Sequence, residues 1–420
     1  MTHPHMSETL TAPAELPAHT FPGERLRLRR KLLFLVPTVP PVPIAGAFVI
    51  KNLLSQLDPR DVVVGAEFWP DNPPDQTSME GGFPVHFVCR KWTWPPRGQQ
   101  YVHWLKWLFI RQTARRIARV ILQNGCQAIF CNFPDELLLF SAYLAAEWTQ
   151  LPLYTFFHNT YRENRTGWRR WIADYLQPRV FARSEQVFVM SAGMQRGLEK
   201  LYPGQAFTPL VHTFAEPIPP FESLPPWQTG RIRVGFLGSV NESNLDALHR
   251  FRALVAADSR YEWNIYSNSS SWFLQKVGFV GERIDHTSPS DEDLPGKLRD
   301  NDLLLLPHGF SGGLTPIEYE TIFPTRTIPY LLSGRPIVAF SPPHSYLNAW
   351  LAEHDCAEIV DQPDHALLRA RIDALAANPA RQAQLVHNAL SAARQFQART
   401  VVTQLVEKLN AQPRFVASKA

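Results

Sequence analysis

Cysteine is scarce in this 420-residue sequence, which has only Cys89, Cys126, Cys131 and Cys356. No two of them share the C-x-x-C spacing of a zinc site, and four are too few to staple a chain of this length. They read as reduced thiols of a cytoplasmic protein. An excess of one charge is also missing: 42 Lys and Arg face 38 Asp and Glu, a formal net charge of +4, which does not favour nucleic acid as a partner. The first 29 residues contain no continuous apolar stretch, so neither a signal peptide nor a membrane anchor is expected there. Residues 1–29 are expected to be a disordered tail, and the basic run Arg25–Lys31 a solvated lead-in to the first strand. There is no repeat at a solenoid period. Gly235 and Gly238 are spaced G-x-x-G, which is not the G-x-G-x-x-G of a nicotinamide enzyme.

What the sequence does contain is alternation. Short apolar runs of strand length are followed by longer stretches with helical periodicity, the pattern of parallel sheets covered by helices. Strands are predicted at Leu32–Pro37, Asp61–Ala66, Gln127–Cys131, Leu153–Phe157, Gln186–Met190 and Thr208–His212, with helices at Phe48–Gln56, Tyr101–Gln123 and Glu136–Trp148. Proline is dense from Phe214 to Trp227, blocking both ladder and helix, so this stretch reads as a semi-rigid connector. The alternation then resumes with strands at Arg231–Leu237, Glu262–Tyr266, Asp302–Leu306, Pro336–Phe340 and Ala357–Val360, and three helical stretches close the chain. The expected organisation is a Rossmann-like domain at 30–214, a Pro-rich linker at 215–229, a second Rossmann-like domain at 230–395, and a C-terminal helix at 396–420 packing back on the first domain.

In such sheets ligands bind where strands end and helices begin, because free N–H groups and the positive dipole end lie there. Four places qualify. The loop Thr38–Ala47 is stiffened by proline and carries Gly46 at a helix start, which suits close approach to a ligand or simply a rigid surface turn. Gly238 and Ser239 occupy the equivalent place in the second half and could meet a diphosphate. His158, in Phe156-Phe-His-Asn159, directly follows an apolar strand; it could orient an acceptor hydroxyl, accept a hydrogen bond or act as general base, or else merely cap and pack. The richest stretch is Gly312–Ala339. There Arg326, with Thr325 before it, lies near the start of a short helix and could hold phosphate, and Glu318 or Glu320 could accept from ribose hydroxyls. Asp291-Glu-Asp293 precedes Pro295 and reads as a helix start rather than a metal site.

The run Phe323-Pro-Thr-Arg326 through Tyr330-Leu-Leu-Ser-Gly334-Arg-Pro336-Ile-Val-Ala339 resembles the nucleotide-sugar-binding segment of GT-B glycosyltransferases, in the large family 4-like bacterial group that builds surface polysaccharides and glycolipids. Phe156-Phe-His-Asn159 and Val187–Met194 are similar to the same group. The resemblance implies a GT-B fold, two Rossmann-like domains across a cleft, the first facing the acceptor and the second the nucleotide sugar. It implies that Arg326 binds the donor diphosphate, Gly238 and Ser239 form the second-domain glycine loop, Gly46 the first-domain loop, and His158 the acceptor-side histidine. Many members carry two glutamates where this sequence has Thr321 and Pro329, so the ribose contact falls to Glu318 or Glu320.

The function implied is sugar transfer from a nucleotide sugar to a hydroxyl of a glycan or lipid-linked acceptor, with retention at the anomeric carbon and neither metal nor cofactor. The leaving diphosphate would be met by Arg326 and the Gly238 loop. From Tyr101 to Arg119, aromatic residues Trp104, Trp107 and Phe109 accompany Lys106, Arg111, Arg115, Arg116 and Arg119; this suits a helix at the inner face of an anionic membrane, or an ordinary helix with solvated arginines. Two other functions share such a cleft. A sugar-nucleotide epimerase would need carboxylates on both sides of the sugar, with Glu67, Asp135 and Glu136 as candidates. A non-catalytic nucleotide-sugar-binding protein would release no nucleotide.

Overall fold

The computed structural model describes residues 24–39, 45–68, 78–79, 81–90, 107–133, 135–227, 230–312 and 315–412. Its first sheet contains β1 (Leu32–Val36), β2 (Val62–Phe68), β3 (Ser78–Met79), β4 (Phe83–Arg90), β5 (Ala128–Phe133), β6 (Leu153–Phe157), β7 (Ser184–Val189) and β8 (Phe207–Pro209). The strand order is β3-β4-β2-β1-β5-β6-β7-β8, parallel throughout except for the two-residue β3. The second sheet contains β9 (Ile232–Leu237), β10 (Tyr261–Tyr266), β11 (Ile284–Thr287), β12 (Leu303–Pro307), β13 (Ile337–Phe340) and β14 (Glu358–Val360). Its order is β11-β10-β9-β12-β13-β14, all parallel.

The central strands are apolar from end to end, Leu-Leu-Phe-Leu-Val in β1 and Leu-Leu-Leu-Leu-Pro in β12, and every residue of both is buried. A strand covered by helices on both faces requires this composition. Polar residues then start the helices. Asp135 Oδ1 accepts from Leu138 N at 2.8 Å, Ser191 Oγ from Met194 N at 3.0 Å and Ser345 Oγ from Asn348 N at 3.1 Å, each satisfying an N–H that the helix leaves open. Strands β4 and β11, absent from the expected set, lie toward the sheet margins. β4 mixes buried and half-buried residues and ends exposed, and no residue of β11 is fully buried, so neither carries a continuous apolar run.

Residues 24–29, expected as part of a tail, are held against the first domain. Leu26 bridges to Leu57, Arg27 Nε pairs with Asp61 at 2.7 Å, and Leu28 N donates to the same carboxylate at 2.9 Å. Residues 1–23 lie outside the described residues. At the other end, helix Ala398–Asn410 lies on the first domain, where Arg30 Nη2 donates to Leu409 O at 2.7 Å. The chain leaves the first domain through Phe214 and re-enters beside it: Phe214 N donates to Phe396 O at 3.1 Å, and Ala398 N to Phe214 O at 2.8 Å.

The two domains touch through helix Pro316–Thr321 of the second and helix Ala192–Leu201 of the first, where Ser191 Oγ donates to Thr321 O at 3.0 Å. Gly197 permits this approach, since a Cβ there would sit 2.9 Å from Thr321 Cγ2, and Gly193 likewise lets the Tyr346 ring of the second domain close in, at 2.4 Å from where its Cβ would stand.

Candidate functional site

In each sheet the chain runs outward in both directions from a central pair of strands, β1 and β5 in the first, β9 and β12 in the second. The loops leaving such a pair part to opposite faces and open a crevice at the carboxyl ends of the strands. The candidate residues gather at these two crevices.

At the β9/β12 crevice lies Arg326, at the start of helix Thr327–Leu332. Its guanidinium carbon is 4.9 Å from the centre of the Phe236 ring, and the group rests against the Gly238 turn. Gly238 has φ +111°, and a Cβ there would stand 3.3 Å from Arg326 Cζ, so glycine both allows the turn and leaves room for the guanidinium. Beneath them Tyr330, fully buried, joins the two strands: its Oη accepts from Leu237 N at 2.7 Å and donates to Leu305 O at 3.1 Å. Arg326 Nη1 is buried without a hydrogen-bond partner, and among the described residues no carboxylate pairs with the side chain. Burial pulls its pKa below the usual guanidinium value. A desolvated cation lacking a counter-charge is a site for an anion.

The other expected donor residues divide. Ser239 is exposed beside the turn, its carbonyl accepting from Asn244 Nδ2 at 3.0 Å. Thr325 is half-buried and its carbonyl accepts from Ile328 N at 3.3 Å. Glu318 does not face an open ribose position: its Oε2 accepts from Thr160 N at 3.3 Å, from Thr160 Oγ1, and from Asn164 Nδ2 at 2.7 Å. It is therefore a bridge to the first domain, and burial raises its pKa. Glu320, two positions on and so on the opposite side of the helix, is exposed.

In the first domain Gly46 lies in the first turn of helix Ala45–Ser55; residues 40–44 of its loop fall outside the described residues. His158 stands at the end of β6 but is closed in. Its Nδ1 is 3.1 Å from His212 Nε2, its Nε2 contacts Asn132 Oδ1, and only 7% of the residue is exposed. The amide oxygen accepts, so Nε2 carries the proton and Nδ1 accepts from His212. Desolvation, then the second imidazole, holds His158 well below the ordinary histidine value. Both ring nitrogens are engaged by His212 and Asn132, so in this arrangement the ring is enclosed rather than open to an acceptor hydroxyl. Asp293, as expected, stands at a helix start, that of Leu294–Arg299, with Ser290 Oγ donating to it at 2.6 Å.

Asn132, His212, His308, Thr160 and Asn164 were not singled out by sequence. Asn132 and His308 could have been, since each sits at the carboxyl end of a central strand, by the same rule that found His158. His212 was hidden because its strand, expected to include it, ends at Pro209.

A family model for the glycosyl transferase 4-like domain matches residues 16–207. No curated protein matches the sequence. Among solved structures, a sucrose-phosphate synthase from Thermosynechococcus elongatus superposes with a TM-score of 0.66 at 12% identity, covering 90% of this chain and 98% of its own. HepE from Anabaena, in complex with UDP and glucose, gives 0.64 at 14%, covering 91% and 100%. The catalytic domain of starch synthase IV from Arabidopsis thaliana, bound to ADP and acarbose, gives 0.62 at 12%, covering 90% and 98%. The architecture is theirs: two parallel-sheet α/β domains facing each other across a cleft.

Proposed function

We propose, from a GT-B scaffold whose first half matches a glycosyl transferase 4-like domain, that the protein is a glycosyltransferase drawing on a nucleotide-sugar donor. The observation that carries this reading is Arg326, a half-buried residue whose enclosed Nη1 has no hydrogen-bond partner and whose guanidinium has no carboxylate partner among the described residues, set over the β9/β12 crevice. A nucleoside diphosphate supplies the charge it lacks. As the bond from the anomeric carbon to the diphosphate breaks, negative charge grows on the leaving oxygen, and a positioned guanidinium stabilises it. HepE was solved with UDP and glucose, and starch synthase IV with ADP, which supports a nucleoside diphosphate in the equivalent cleft here. Gly238 and Ser239 would approach the diphosphate by their backbone, and Thr325 would border it. Glu320 and Glu318, one exposed and one bridging, do not favour a ribose contact as they stand.

On the acceptor side, Gly46 would border the incoming hydroxyl and His158 would hold the Asn132 amide in place. Transfer with retention, to a glycan or lipid-linked hydroxyl, is the finer reading; NMR of the product's anomeric configuration tests it, and an inverted product would exclude it.

A membrane-borne acceptor is supported by the first domain's surface. Helix Ile110–Asn124 buries Ile110, Ile117 and Ile121 and turns Arg111, Arg115, Arg116 and Arg119 outward, none of them ion-paired among the described residues. Leu108 beside it is 76% exposed. Residues 101–106 of this expected helix lie outside the described residues. Trp107 packs on Phe140, which also meets Tyr175, so the face continues onto helix Gly167–Arg183, where Trp171 is 73% exposed. Among the described residues no helix is long and apolar enough to cross a bilayer, so the contact would be peripheral, at the inner face of the membrane in a cytoplasmic protein.

A thermal-shift series with UDP, GDP, ADP, dTDP and NAD tests the donor site. One nucleoside diphosphate should raise the melting temperature, by an amount equivalent to about 2.7 kcal/mol at a hundred-fold excess over Kd, and Arg326→Ala should abolish the shift. A response to NAD alone would overturn the reading.

A further inference from the structure

The β9/β12 crevice holds a second group that the donor reading leaves unused. His308 follows β12 directly, is 1% exposed, and its Nε2 has no hydrogen-bond partner. Its main chain is fixed, His308 N donating to Phe340 O at 2.8 Å, while the next residue, Gly309, donates to Ser243 O at 2.7 Å. A buried ring nitrogen left unsatisfied is uncommon enough to need a cause.

Its neighbours supply one. Arg326 lies on one side and opposes a proton on the ring. From helix Pro316–Thr321 comes the Tyr319 ring, 5.1 Å between centroids. Hydrogen bonding to the main chains of Tyr319 and Ser243 favours the protonated ring. From helix Leu245–Ala257, Asp246 reaches the same loop by accepting from Phe310 N at 3.1 Å, but its carboxylate is shared with Arg250. Burial outweighs the rest and, with Arg326, pushes the imidazole down to about 4. The ring is therefore neutral at neutral pH; the main-chain hydrogen bonding falls to the other ring nitrogen, which keeps the proton, and Nε2, without a partner, is a bare lone pair. A lone pair repels a phosphate oxygen, whereas an N–H in the same place would donate to it.

We propose that His308 is a second ligand of the donor diphosphate beside Arg326, taking one proton from solvent onto Nε2 as the diphosphate binds and returning it when the nucleotide leaves. The inference rests on the reading of this crevice as the donor site. A bound dianion offsets the Arg326 charge and adds an opposite charge of its own, so the protonated ring becomes the favoured form. Nucleotide release is then easier at higher pH.

Calorimetric titration of the full chain with UDP-glucose at about pH 6.5, in three buffers of different ionisation enthalpy, reads the protons exchanged on binding. The diphosphate of this sugar nucleotide has no group titrating near neutrality, so any uptake belongs to the protein. If UDP-glucose is silent, ADP-glucose and GDP-mannose are titrated in turn. The wild type should take up about half a proton or more per site, and His308→Gln should bind several-fold more weakly with no uptake. Binding without uptake in the wild type, a result that needs no variant to fold, overturns the proposal and leaves the donor site standing, as does uptake retained in His308→Gln. No binding of any of the three sugar nucleotides removes the donor-site reading and this inference with it.

Discussion

His212 and His158 meet through a single hydrogen bond in a buried pocket, and among the described residues a proton added to either would have no carboxylate to face. Desolvation lowers His212 from 6.5 to about 4. An imidazole whose folded pKa lies below its unfolded value gives stability that is fully present above the unfolded pKa and lost as pH falls toward the folded one. The melting temperature should therefore decline between about pH 6.5 and 4, this pair of states accounting for about 3 kcal/mol at His212. His212→Gln should flatten the decline in a melting series across that window, and an unchanged slope would discount the residue. At this scale the sequence was informative where a residue directly followed a recognisable strand or opened a helix. His158 was singled out by the strand before it, and Arg326 by its place at the start of a short helix. That His158 is closed in by His212 and Asn132, residues 54 and 26 positions away, is a fact of packing between strand ends that no local pattern encodes.

Helix Ile110–Asn124 has its apolar residues at the spacing of one face, so its buried side and its outward arginines were legible from periodicity alone. What periodicity could not convey is the company it keeps, since Trp171 and Tyr175 belong to another helix, Gly167–Arg183, and Tyr175 meets the surface through Phe140. Vesicle flotation tests this face. The protein should float with anionic vesicles at low salt and not at high salt, and Arg115→Glu with Arg116→Glu should lose at least about 2 kcal/mol of that attraction, at roughly 1 kcal/mol per basic residue. Failure to float at low salt would retire the membrane contact. The central strands β1, β6, β12 and β13 were equally legible, because strands covered on both faces are nearly continuous apolar runs, and β5, β9 and β10 were legible with only one or two polar residues interrupting them. β4 and β11, only partly covered, carry no such signal.

For the whole molecule, the alternation of strands and helices on either side of a proline-rich stretch announced two sheets, but nothing in it said how they would meet. The meeting is polar at Glu318, where one carboxylate oxygen takes three donors from the first domain. Glu318→Ala should lower stability by about 1.5–3 kcal/mol and enlarge the radius of gyration in small-angle scattering as the cleft loosens; unchanged scattering would show that the bridge does not hold the cleft. The chain passes between domains twice, and the two passages are stitched together where Phe214 bonds to Phe396 and Ala398. A single tether would let the second domain swivel in any direction about a point. Two tethers side by side behave like the pin of a door, leaving one easy direction of swing and resisting twist, so each opening returns Arg326 and the Asn132–His158 pocket to the same alignment.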